Sequence, residues 1–496
     1  MLVVQASRSP SEALVKDVTS DLANTLLARI RDRSALVGVI GLGYVGLPLA
    51  LTFVENGFPL LGFDVDPEKV EKLNRGEGYI RHLDGGRIAA ARAAGQFEAT
   101  ADFSRLAEAD AILICVPTPL TPQREPDMTY VDGAAHQIRA ALRPGQLIIL
   151  ESTTYPGTTD ERLRPILEAP APSDPLPLRA SVASEATPPT SLSLRGRAAA
   201  EAIPSPPDGL LCGTDFFLAF SPEREDPGRK DFTTTTTPKV VGGVDQTSGD
   251  LAQALYDQII AKTVRVSSAR TAEATKLMEN IFRAVNIALV NELKIIYDKM
   301  GIDIWEVLDA AETKPFGFMR FNPGPGWGGH CIPLDPFYLS WKAREYGVAP
   351  KFIELAGDVN VQMPEYVVGK LQLALNERGK ALKGSSVLIL GIAYKRDIDD
   401  PRESPAFEII HRLLSLGAEV SYHDPHIPIS PHMRTWPDLP PMHSCALTAE
   451  VLAGMDAVVL VTDHHAVDYE LVASNAALVV DTRGVYRDPR PNVVRA

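Results

Sequence analysis

The sequence lacks the features that mark membrane-spanning and secreted proteins. No apolar run reaches the roughly 20 residues that a membrane-spanning helix needs, and residues 1–33 contain neither the apolar core nor the cleavage site of a signal peptide. Cysteine is scarce, with four widely scattered residues that form no CxxC pair: Cys115, Cys212, Cys331 and Cys445. This scarcity excludes a disulfide framework and gives no hint of a metal site, so we expect no bound metal and a cytoplasmic location.

An excess of basic charge is also missing. The net charge of -14 argues against nucleic acid or an anionic membrane as a partner. A small anionic ligand remains compatible with it, because a few lysines and arginines act locally. The hydrophobic content of 45% is typical of a globular protein, and 496 residues give room for two to four domains.

A glycine-rich turn follows the first predicted strand, at 36–40. The turn and its surroundings comprise Gly41, Gly43, Tyr44, Val45 and Gly46, then a helical pattern, a second strand at 60–63 and Asp64. This order and spacing are typical of a dinucleotide-binding sheet. The helix N-terminus would stabilise a diphosphate, and Asp64 would accept hydrogen bonds from the adenosine ribose, which favours NAD over NADP. A glycine turn without a ligand is the structural alternative.

Further buried strands are predicted at 111–116 and 146–150, and each runs into a polar turn. Ligands bind at the carboxyl edge of such sheets, so Thr118 and Thr153 are candidate cofactor or substrate contacts. A last strand at 216–220 leads into Ser-Pro-Glu223-Arg224, where Glu223 is a candidate general base. Between these strands, 169–210 is rich in proline, alanine, serine and threonine, which predicts a disordered insertion that marks no domain boundary.

The longest predicted helix, 271–300, carries Lys276 and Asn280 one turn apart, beside an apolar stripe that includes Leu289. The two side chains would hold an oxyanion and a water in a cleft; a solvated helix end is the alternative. A loop at 322–336 follows, with four glycines and four prolines around Cys331. Gly328 and Gly329 would let a ligand approach the sulfur, and Asp335 lies four residues beyond it. A tight turn with a buried thiol is the alternative.

The α/β pattern resumes at 383–384, with strands predicted at 386–390, 419–422, 457–461 and 477–480 but no second glycine fingerprint. A nucleotide there would be held by charge, and Lys395, Arg402 and Arg483 are the cations near strand ends. Each is otherwise a surface charge. The predicted fold class is therefore α/β, with two doubly wound Rossmann-like domains joined by a central all-helical region. We assign 1–33 to an extension, 34–228 to the NAD-binding domain, 229–382 to the central domain and 383–496 to a second domain that would bind a nucleotide.

A nucleophilic cysteine beside an NAD site predicts aldehyde oxidation through a thiohemiacetal and a thioester. Five motifs then carry a resemblance to the UDP-glucose/GDP-mannose dehydrogenase family, in the same order: 38–48, 221–224, 276–280, 328–335 and 402–405. The resemblance implies a four-electron oxidation of a nucleotide sugar to a uronate with two NAD⁺. The loop 328–336 looks like the branch that acts on UDP-N-acetylhexosamines, and is similar to enzymes for UDP-GlcNAc that supply surface polysaccharide. UDP-ManNAc and UDP-glucose are the other candidates, and a catalytically silent NAD-sensing scaffold is the alternative of another class.

The resemblance also implies residue roles. Cys331 matches the nucleophile, and Glu223 matches the glutamate that acts in hydrolysis of the thioester. Lys276 and Asn280 match the groups that stabilise the oxyanion and the water. Asp335 matches the residue that assists at the thiol and the water. The implied NAD site comprises Gly41, Gly43, Tyr44, Val45, Gly46, Asp64, Lys69, Thr118, Thr153 and Arg402. The implied sugar-nucleotide site comprises Glu223, Arg224, Lys276, Asn280, Gly328, Gly329, Lys395 and Arg483. A homodimer built on the central helices and the binding of UDP by domain 383–496 are implied as well.

Overall fold

The structure of the chain is a computed structural model that describes residues 10–80, 83–121, 123–170, 209–224, 233–329, 332–433 and 435–496, with the side chains of 10–18 left aside. Within these ranges no helix has the length and apolar character needed to cross a membrane. Most of the predicted proline-rich insertion, together with Cys331, lies outside the described residues. The chain divides into two compact units, Met1–Lys276 and Leu277–Ala496.

The first unit is built on one sheet with the strand order β3-β2-β1-β4-β5-β6-β7-β8. Its strands are β1 (Val37–Ile40), β2 (Leu60–Phe63), β3 (Phe97–Thr100), β4 (Ala111–Ile114), β5 (Leu147–Leu150), β6 (Phe217–Phe220), β7 (Lys239–Gly243) and β8 (Thr263–Arg265). Strands β1, β2, β4, β5 and β6 are buried at every position, which explains why they read as continuous apolar runs. The prediction that the strand at 216–220 is the last one was wrong, because β7 pairs antiparallel with β6 and β8 extends the sheet.

Seven helices of the described residues accompany this sheet: α1 (Pro10–Arg31), α2 (Gly46–Glu55), α3 (Pro67–Asn74), α4 (Gly85–Ala93), α5 (Thr129–Ala141), α6 (Arg164–Glu168) and α7 (Gln246–Tyr256). Helical turns also occur at Phe103–Glu108 and Thr158–Leu163. Helix α1 lies in the N-terminal extension. It packs on the sheet through Leu26 and Ile30, which are buried in the main core of the unit.

The central region is helical, as predicted: α8 (Ala269–Met300), α9 (Ile304–Glu312), α10 (Asp335–Glu345) and α11 (Lys351–Glu377). Helix α8 begins in the first unit and continues into the second, and Gly301 follows it with a positive φ of 70°. The apolar stripe of α8 was partly misassigned, because Leu289 is exposed rather than buried.

The second unit contains an all-parallel sheet with the order β10-β9-β11-β12-β13. Its strands are β9 (Ser386–Leu390), β10 (Glu419–His423), β11 (Ala457–Leu460), β12 (Val479–Asp481) and β13 (Val493–Arg495), and its helices are α12 (Pro405–Ser415), α13 (Ala449–Ala453) and α14 (Tyr469–Asn475). Strand β9 lies between β10 and β11, as β1 lies between β2 and β4. Each sheet therefore has a switch point, the place where ligands bind in doubly wound folds.

Candidate active site

The glycine turn after β1 has the geometry that a bound diphosphate requires. Gly41 has a φ of 90°, and a Cβ there would lie 2.5 Å from the carbonyl oxygen of Cys115. A Cβ at Gly46 would overlap the carbonyl oxygen of Gly41, so that glycine lets α2 approach the strand. A Cβ at Gly43 would meet nothing within 4 Å. The first and third glycines are thus required by packing, whereas the second faces open space, as the close approach of a pyrophosphate to the backbone would require.

Asp64 lies directly after β2 and is only 6% exposed. One carboxylate oxygen accepts from the backbone N–H of Leu42, in the glycine turn, at 3.0 Å. The other accepts from Asp66 N–H at 3.0 Å, and Lys69 Nζ lies 3.7 Å from the carboxylate. Asp64 and Lys69, which are both predicted for the NAD site, therefore lie close together beyond the end of β2. A carboxylate at this place suits the ribose of NAD and repels a 2′-phosphate.

The predicted contacts at the other strand ends differ in burial. Thr118, after β4, is 5% exposed, and Thr153, after β5, is half-buried, as are Tyr44 and Val45 in the glycine turn. All four lie at the edge of the sheet where β1, β4 and β5 end, which is the edge that carries Asp64.

A buried charged cluster beside Glu223 was missed by the sequence analysis. Glu151, the first residue after β5, is 1% exposed, and Lys239, the first residue of β7, is 4% exposed. Lys239 Nζ lies 2.8 Å from Glu151 Oε2 and 3.7 Å from Glu223 Oε2. The Tyr256 hydroxyl donates to the second oxygen of Glu151. Burial raises the pKa of Glu151; burial opposes ionisation of Lys239 too, but the carboxylates of Glu151 and Glu223 raise its pKa above the ordinary value.

Two hydrogen bonds from Arg224 hold the described start of the Glu223 loop in place. The N–H of Arg224 donates to Glu223 Oε1 at 2.6 Å, and the Arg224 guanidinium donates to the carbonyl oxygen of Pro238 at 2.6 Å. Arg224 thereby ties the loop to the start of β7.

Lys276 and Asn280 are buried residues of α8, with exposures of 8% and 4%. The alternative of a solvated helix end is therefore wrong. One turn before Lys276, the carboxylate of Glu273 accepts from Gly157 N–H at 2.6 Å and from the N–H and hydroxyl of Thr159 at 2.9 and 2.6 Å. These bonds join the first turns of α8 to the loop after β5. Glu273 is a further buried group that the sequence pattern did not single out.

Asn280 and Asp335 meet inside the second unit, although 55 positions separate them in the sequence. Asn280 Nδ2 donates to Asp335 Oδ2 at 2.5 Å, and Asp335 is 2% exposed. Asp335 begins α10, directly after the cysteine loop. Cys331 itself lies outside the described residues, so the structure neither supports nor opposes the alternative of a buried thiol.

The glycines of the cysteine loop lie against the loops of the second sheet. A Cβ at Gly328 would lie 2.8 Å from the Tyr394 side chain, and Gly329, with a φ of 85°, packs on the same ring. Gly329 N–H donates to the carbonyl oxygen of Arg402 at 3.2 Å. A Cβ at Gly324 would lie 2.7 Å from Arg483 Nη1. The predicted cysteine loop and the predicted cationic loops of the second sheet are therefore neighbours.

The three predicted cations differ in their surroundings. Arg402 makes a bidentate pair with Asp400, with its shortest N–O distance at 2.6 Å. Arg483 Nε donates to the carbonyl oxygen of Val461 at 2.7 Å, and burial lowers its pKa to about 10, so it stays charged at neutral pH. Lys395 is half-buried, next to Tyr394.

One group among the described residues has ligand atoms close enough for a metal ion: Asp397, His426 and His464, within 4.8 Å of one another. Both ring nitrogens of His464 are already engaged. Its Nδ1 accepts from Asp397 N–H at 3.0 Å, and its Nε2 lies 3.2 Å from the carboxylate of Asp424. Asp424 in turn accepts from Ile392 N–H at 2.7 Å. The bond from Ile392 to Asp424 corresponds, in the second sheet, to the bond from Leu42 to Asp64 in the first. We therefore interpret Asp397, His426 and His464 as side chains that support the loop after β9 through hydrogen bonds.

A glycine turn with a buried aspartate at the end of the next strand, and buried polar residues on a long helix, are typical of an NAD-dependent dehydrogenase. The chain belongs to the UDP-glucose/GDP-mannose dehydrogenase family. Three models of that family match it: the NAD binding domain at residues 35–188, the central domain at 270–362 and the UDP binding domain at 388–488. The protein is accordingly an NAD-dependent nucleotide-sugar dehydrogenase.

Several relatives cover most of the chain. UDP-N-acetyl-D-glucosamine 6-dehydrogenase of Pseudomonas aeruginosa is 34% identical over 392 residues, 79% of this chain and 83% of that protein. NDP-N-acetyl-D-galactosaminuronic acid dehydrogenase of Ralstonia nicotianae is 33% identical over 464 residues, 92% and 97% of the two chains. The solved structure of UDP-D-ManNAc dehydrogenase from Pyrococcus horikoshii, at 29% identity, covers 93% of this chain and 98% of that one with a TM-score of 0.77. The resemblance seen in the sequence is thus confirmed at the level of the family.

Proposed function

We propose that the protein oxidises C6 of a UDP-N-acetylhexosamine from the alcohol to the carboxylate with two NAD⁺. The preferred substrate in this proposal is UDP-GlcNAc. The contact between the cysteine loop and the cationic loops carries this proposal. Gly324 lies against Arg483, a cation suited to a uridine diphosphate. The bond from Gly329 to the carbonyl oxygen of Arg402 fastens the nucleophile's loop to the same sheet. A ligand whose diphosphate is held by Arg483 and Lys395 would bring its sugar towards the cysteine loop.

In this proposal, the Cys331 thiolate adds to the C6 aldehyde left by the first oxidation and forms a thiohemiacetal. Loss of a hydride then gives the thioester, and water releases the uronate and the thiol. The glycine turn and Asp64 would hold NAD⁺, which would supply the hydride acceptor for each of the two oxidations. Lys276 supplies a positive charge for the oxyanions, and Glu223 removes the proton of the attacking water.

The hydrogen bond from Asn280 to Asp335 supports a role for the Asn280 amide in holding the attacking water. An amide that donates to a buried carboxylate leaves its own carbonyl oxygen to accept from a water. Asp335, four positions beyond Cys331, accepts the proton of the thiol. Through its bond to Asn280 it also helps to hold the water from which Glu223 takes the proton. We assign Asn280 to the hydrolytic half of the reaction and Asp335 to both halves.

The choice of sugar rests on the sequence of the cysteine loop and on the relatives together. The loop Gly-Gly-His-Cys-Ile-Pro-Leu-Asp-Pro favours the N-acetylhexosamine branch, and the Pseudomonas aeruginosa relative acts on UDP-N-acetyl-D-glucosamine, as its name states. The Pyrococcus horikoshii structure keeps UDP-ManNAc as the second candidate. Arg320, close to this loop, pairs with Asp309 and Glu312 at 2.7 Å each, so its charge is balanced within the protein.

A competition assay tests the proposal. Purified protein with NAD⁺ is given UDP-GlcNAc, UDP-ManNAc, UDP-GalNAc and UDP-glucose in turn, and the uronate product is identified by mass spectrometry. We expect the highest kcat/KM with UDP-GlcNAc, and no turnover from Cys331→Ser. A Cys331→Ser variant with wild-type turnover would contradict the role of the thiol, and a preference for another sugar would reassign the substrate.

We also propose a homodimer. On α8, Met278, Leu289 and Ile296 are between 45% and 65% exposed and point in one direction, because their spacings of eleven and seven residues are close to whole turns. Phe282 and Met300 lie on the same side. The opposite face of the helix carries the buried Asn280. A long apolar stripe that a helix exposes to solvent is suited to pairing with a second copy of the chain.

A further inference from the structure

Two fully buried asparagines connect the cysteine loop to the long helices of the second unit. Asn291 lies on α8 and Asn360 on α11. Asn291 Oδ1 accepts from the backbone N–H of Gly324 at 2.9 Å, and Asn291 Nδ2 donates to Asn360 Oδ1 at 2.8 Å. The Asn360 amide donates in turn to the carbonyl oxygens of Ala284 and Ala356 at 3.2 and 3.0 Å. The chain of hydrogen bonds therefore runs from the loop, through both side chains, to the backbone of both helices.

The helices alone do not explain this pair of asparagines. Asparagine is a poor helix former, and a buried amide costs free energy unless its polar groups are hydrogen-bonded. The bond between Asn291 and Asn360 ties α8 to α11, but a tie between two helices needs no partner in a loop. Because the oxygen of Asn291 is bonded to Gly324, the pair also holds the segment that leads to Cys331.

The cysteine loop runs along one face of α11, which carries Gly357, Asn360 and Pro364. Their spacings of three and four residues place them on the same side of the helix. Pro364 has no N–H, so the carbonyl oxygen of Asn360 receives no helical bond from it. A Cβ at Gly326 would lie 3.4 Å from that oxygen and 3.6 Å from Pro364 Cδ, and a Cβ at Gly357 would lie 3.5 Å from the Trp327 ring. The loop therefore lies close to the face of α11 that also presents Asn360.

We propose that Asn291 is a positioning residue, which fixes Gly324 and with it the path of the cysteine loop towards Cys331; this rests on the role proposed above for Cys331. The bond that does so is buried and is made within the protein. Gly324 also adjoins Arg483, since a Cβ at Gly324 would lie 2.7 Å from Arg483 Nη1. Arg483 is itself held by its bond to the carbonyl oxygen of Val461. Asn291 therefore sets the position of the loop relative to a cation that is already fixed.

Hydrogen exchange of the Gly324 amide tests the proposal directly. Pro323 and Pro325 have no N–H, so mass spectrometry with fragmentation on both sides of Gly324 reads its amide alone. In Asn291→Leu, without substrate, we expect this amide to exchange about tenfold faster than in the wild type, because it has lost its acceptor. If Asn291→Leu does not fold, Asn291→Ala removes the same acceptor and is interpreted in the same way. Unchanged exchange at Gly324 would overturn the proposal.

A kinetic measurement distinguishes this inference from the proposed function. With the sugar nucleotide that the wild type oxidises best, Asn291→Leu should lower kcat about tenfold or more, because a displaced loop misplaces the thiol. The KM for NAD⁺ should stay unchanged, since the glycine turn belongs to the other unit. A wild-type protein without turnover would refute the proposed function, whereas the exchange of Gly324 would still report on Asn291. Faster exchange at Gly324 together with a wild-type kcat would overturn the positioning role.

Asn492→Leu is the matched control. Asn492 is a half-buried asparagine of the same unit, directly before the edge strand β13. Its amide also donates to two backbone carbonyl oxygens, those of Ala473 and Ala476, at 2.9 and 2.8 Å. This variant should leave both the exchange of Gly324 and kcat unchanged. Changes in the control equal to those in Asn291→Leu would show a general loss of stability and would also overturn the proposal.

Discussion

Glu273 should make the stability of the protein depend on pH between pH 5 and pH 8. Its carboxylate is fully buried and is held by three hydrogen bonds from Gly157 and Thr159. Burial nevertheless raises its pKa to about 7, from an ordinary value of 4.5, because three hydrogen bonds do not replace the lost hydration. We choose Glu273→Gln, which keeps the shape of the side chain and removes its titration.

The sign follows from the direction of the change in pKa. A carboxyl group whose pKa is higher in the folded state than in the unfolded state stabilises the fold while it is protonated, which is the case at low pH. That contribution is fully present below about 4.5 and is lost as the pH rises through about 7. Between pH 5 and pH 8, this linkage amounts to about 2.5 kcal/mol. Over that range, the Glu273→Gln variant should therefore gain about 2.5 kcal/mol in stability relative to the wild type.

Urea denaturation at pH 5, 6, 7 and 8, followed for wild type and variant in parallel, measures this difference. Glu292→Gln, an exposed position of the same helix, is the control and should follow the wild type at every pH. Parallel pH dependences of the wild type and Glu273→Gln would refute the reasoning, since the titrating group would then lie elsewhere.

Three further outcomes are expected. Asp64→Ala should weaken NAD⁺ binding in isothermal titration calorimetry by about tenfold or more, because a good hydrogen bond to a charged group is worth about 1.5–3 kcal/mol, and it should reduce the preference over NADP⁺. Arg483→Met should weaken UDP binding by a similar factor and leave NAD⁺ binding unchanged. Leu289→Glu with Ile296→Glu should give a monomer in analytical ultracentrifugation, because charges would be buried in the proposed dimer interface.

Each of these has a control or a contradicting result. NADP⁺ discrimination that survives Asp64→Ala would show that another group reads the ribose. Equal losses of UDP and NAD⁺ affinity in Arg483→Met would indicate unfolding rather than a lost contact. For the dimer, Leu416→Glu changes a single exposed leucine of the same unit and should leave the oligomeric state as it is. A double variant that sediments like the wild type would contradict the proposed interface.

The parts of the protein that the sequence predicts well are those encoded locally. The glycine turn and Asp64 could be predicted because strand, turn, helix and strand follow one another within about thirty residues of a fixed geometry. The long helix α8 was equally evident from its periodicity. Leu289 was misassigned because an apolar residue near the border of a stripe fits a buried or an exposed position, and a single sequence does not distinguish them.

The residues that the sequence did not reveal depend on contacts between distant segments. Lys239 meets Glu151 across 88 positions, and neither has a motif of its own. Strands β7 and β8 were missed, since Lys239–Gly243 ends in two glycines and Thr263–Arg265 is short and only partly buried. The sequence predicted that Asn280 and Asp335 share a function, but it did not predict the hydrogen bond between them, because 55 positions separate the two residues.

The measurement closest to the central claim is the amount of NADH formed per UDP-GlcNAc consumed. With limiting sugar nucleotide and excess NAD⁺, absorbance at completion gives the number directly, and chromatography confirms that the substrate is exhausted. Two NADH per sugar, with the uronate as product, is the predicted result, because the aldehyde is oxidised again before it leaves Cys331. One NADH per sugar, with a free aldehyde as product, would contradict the account.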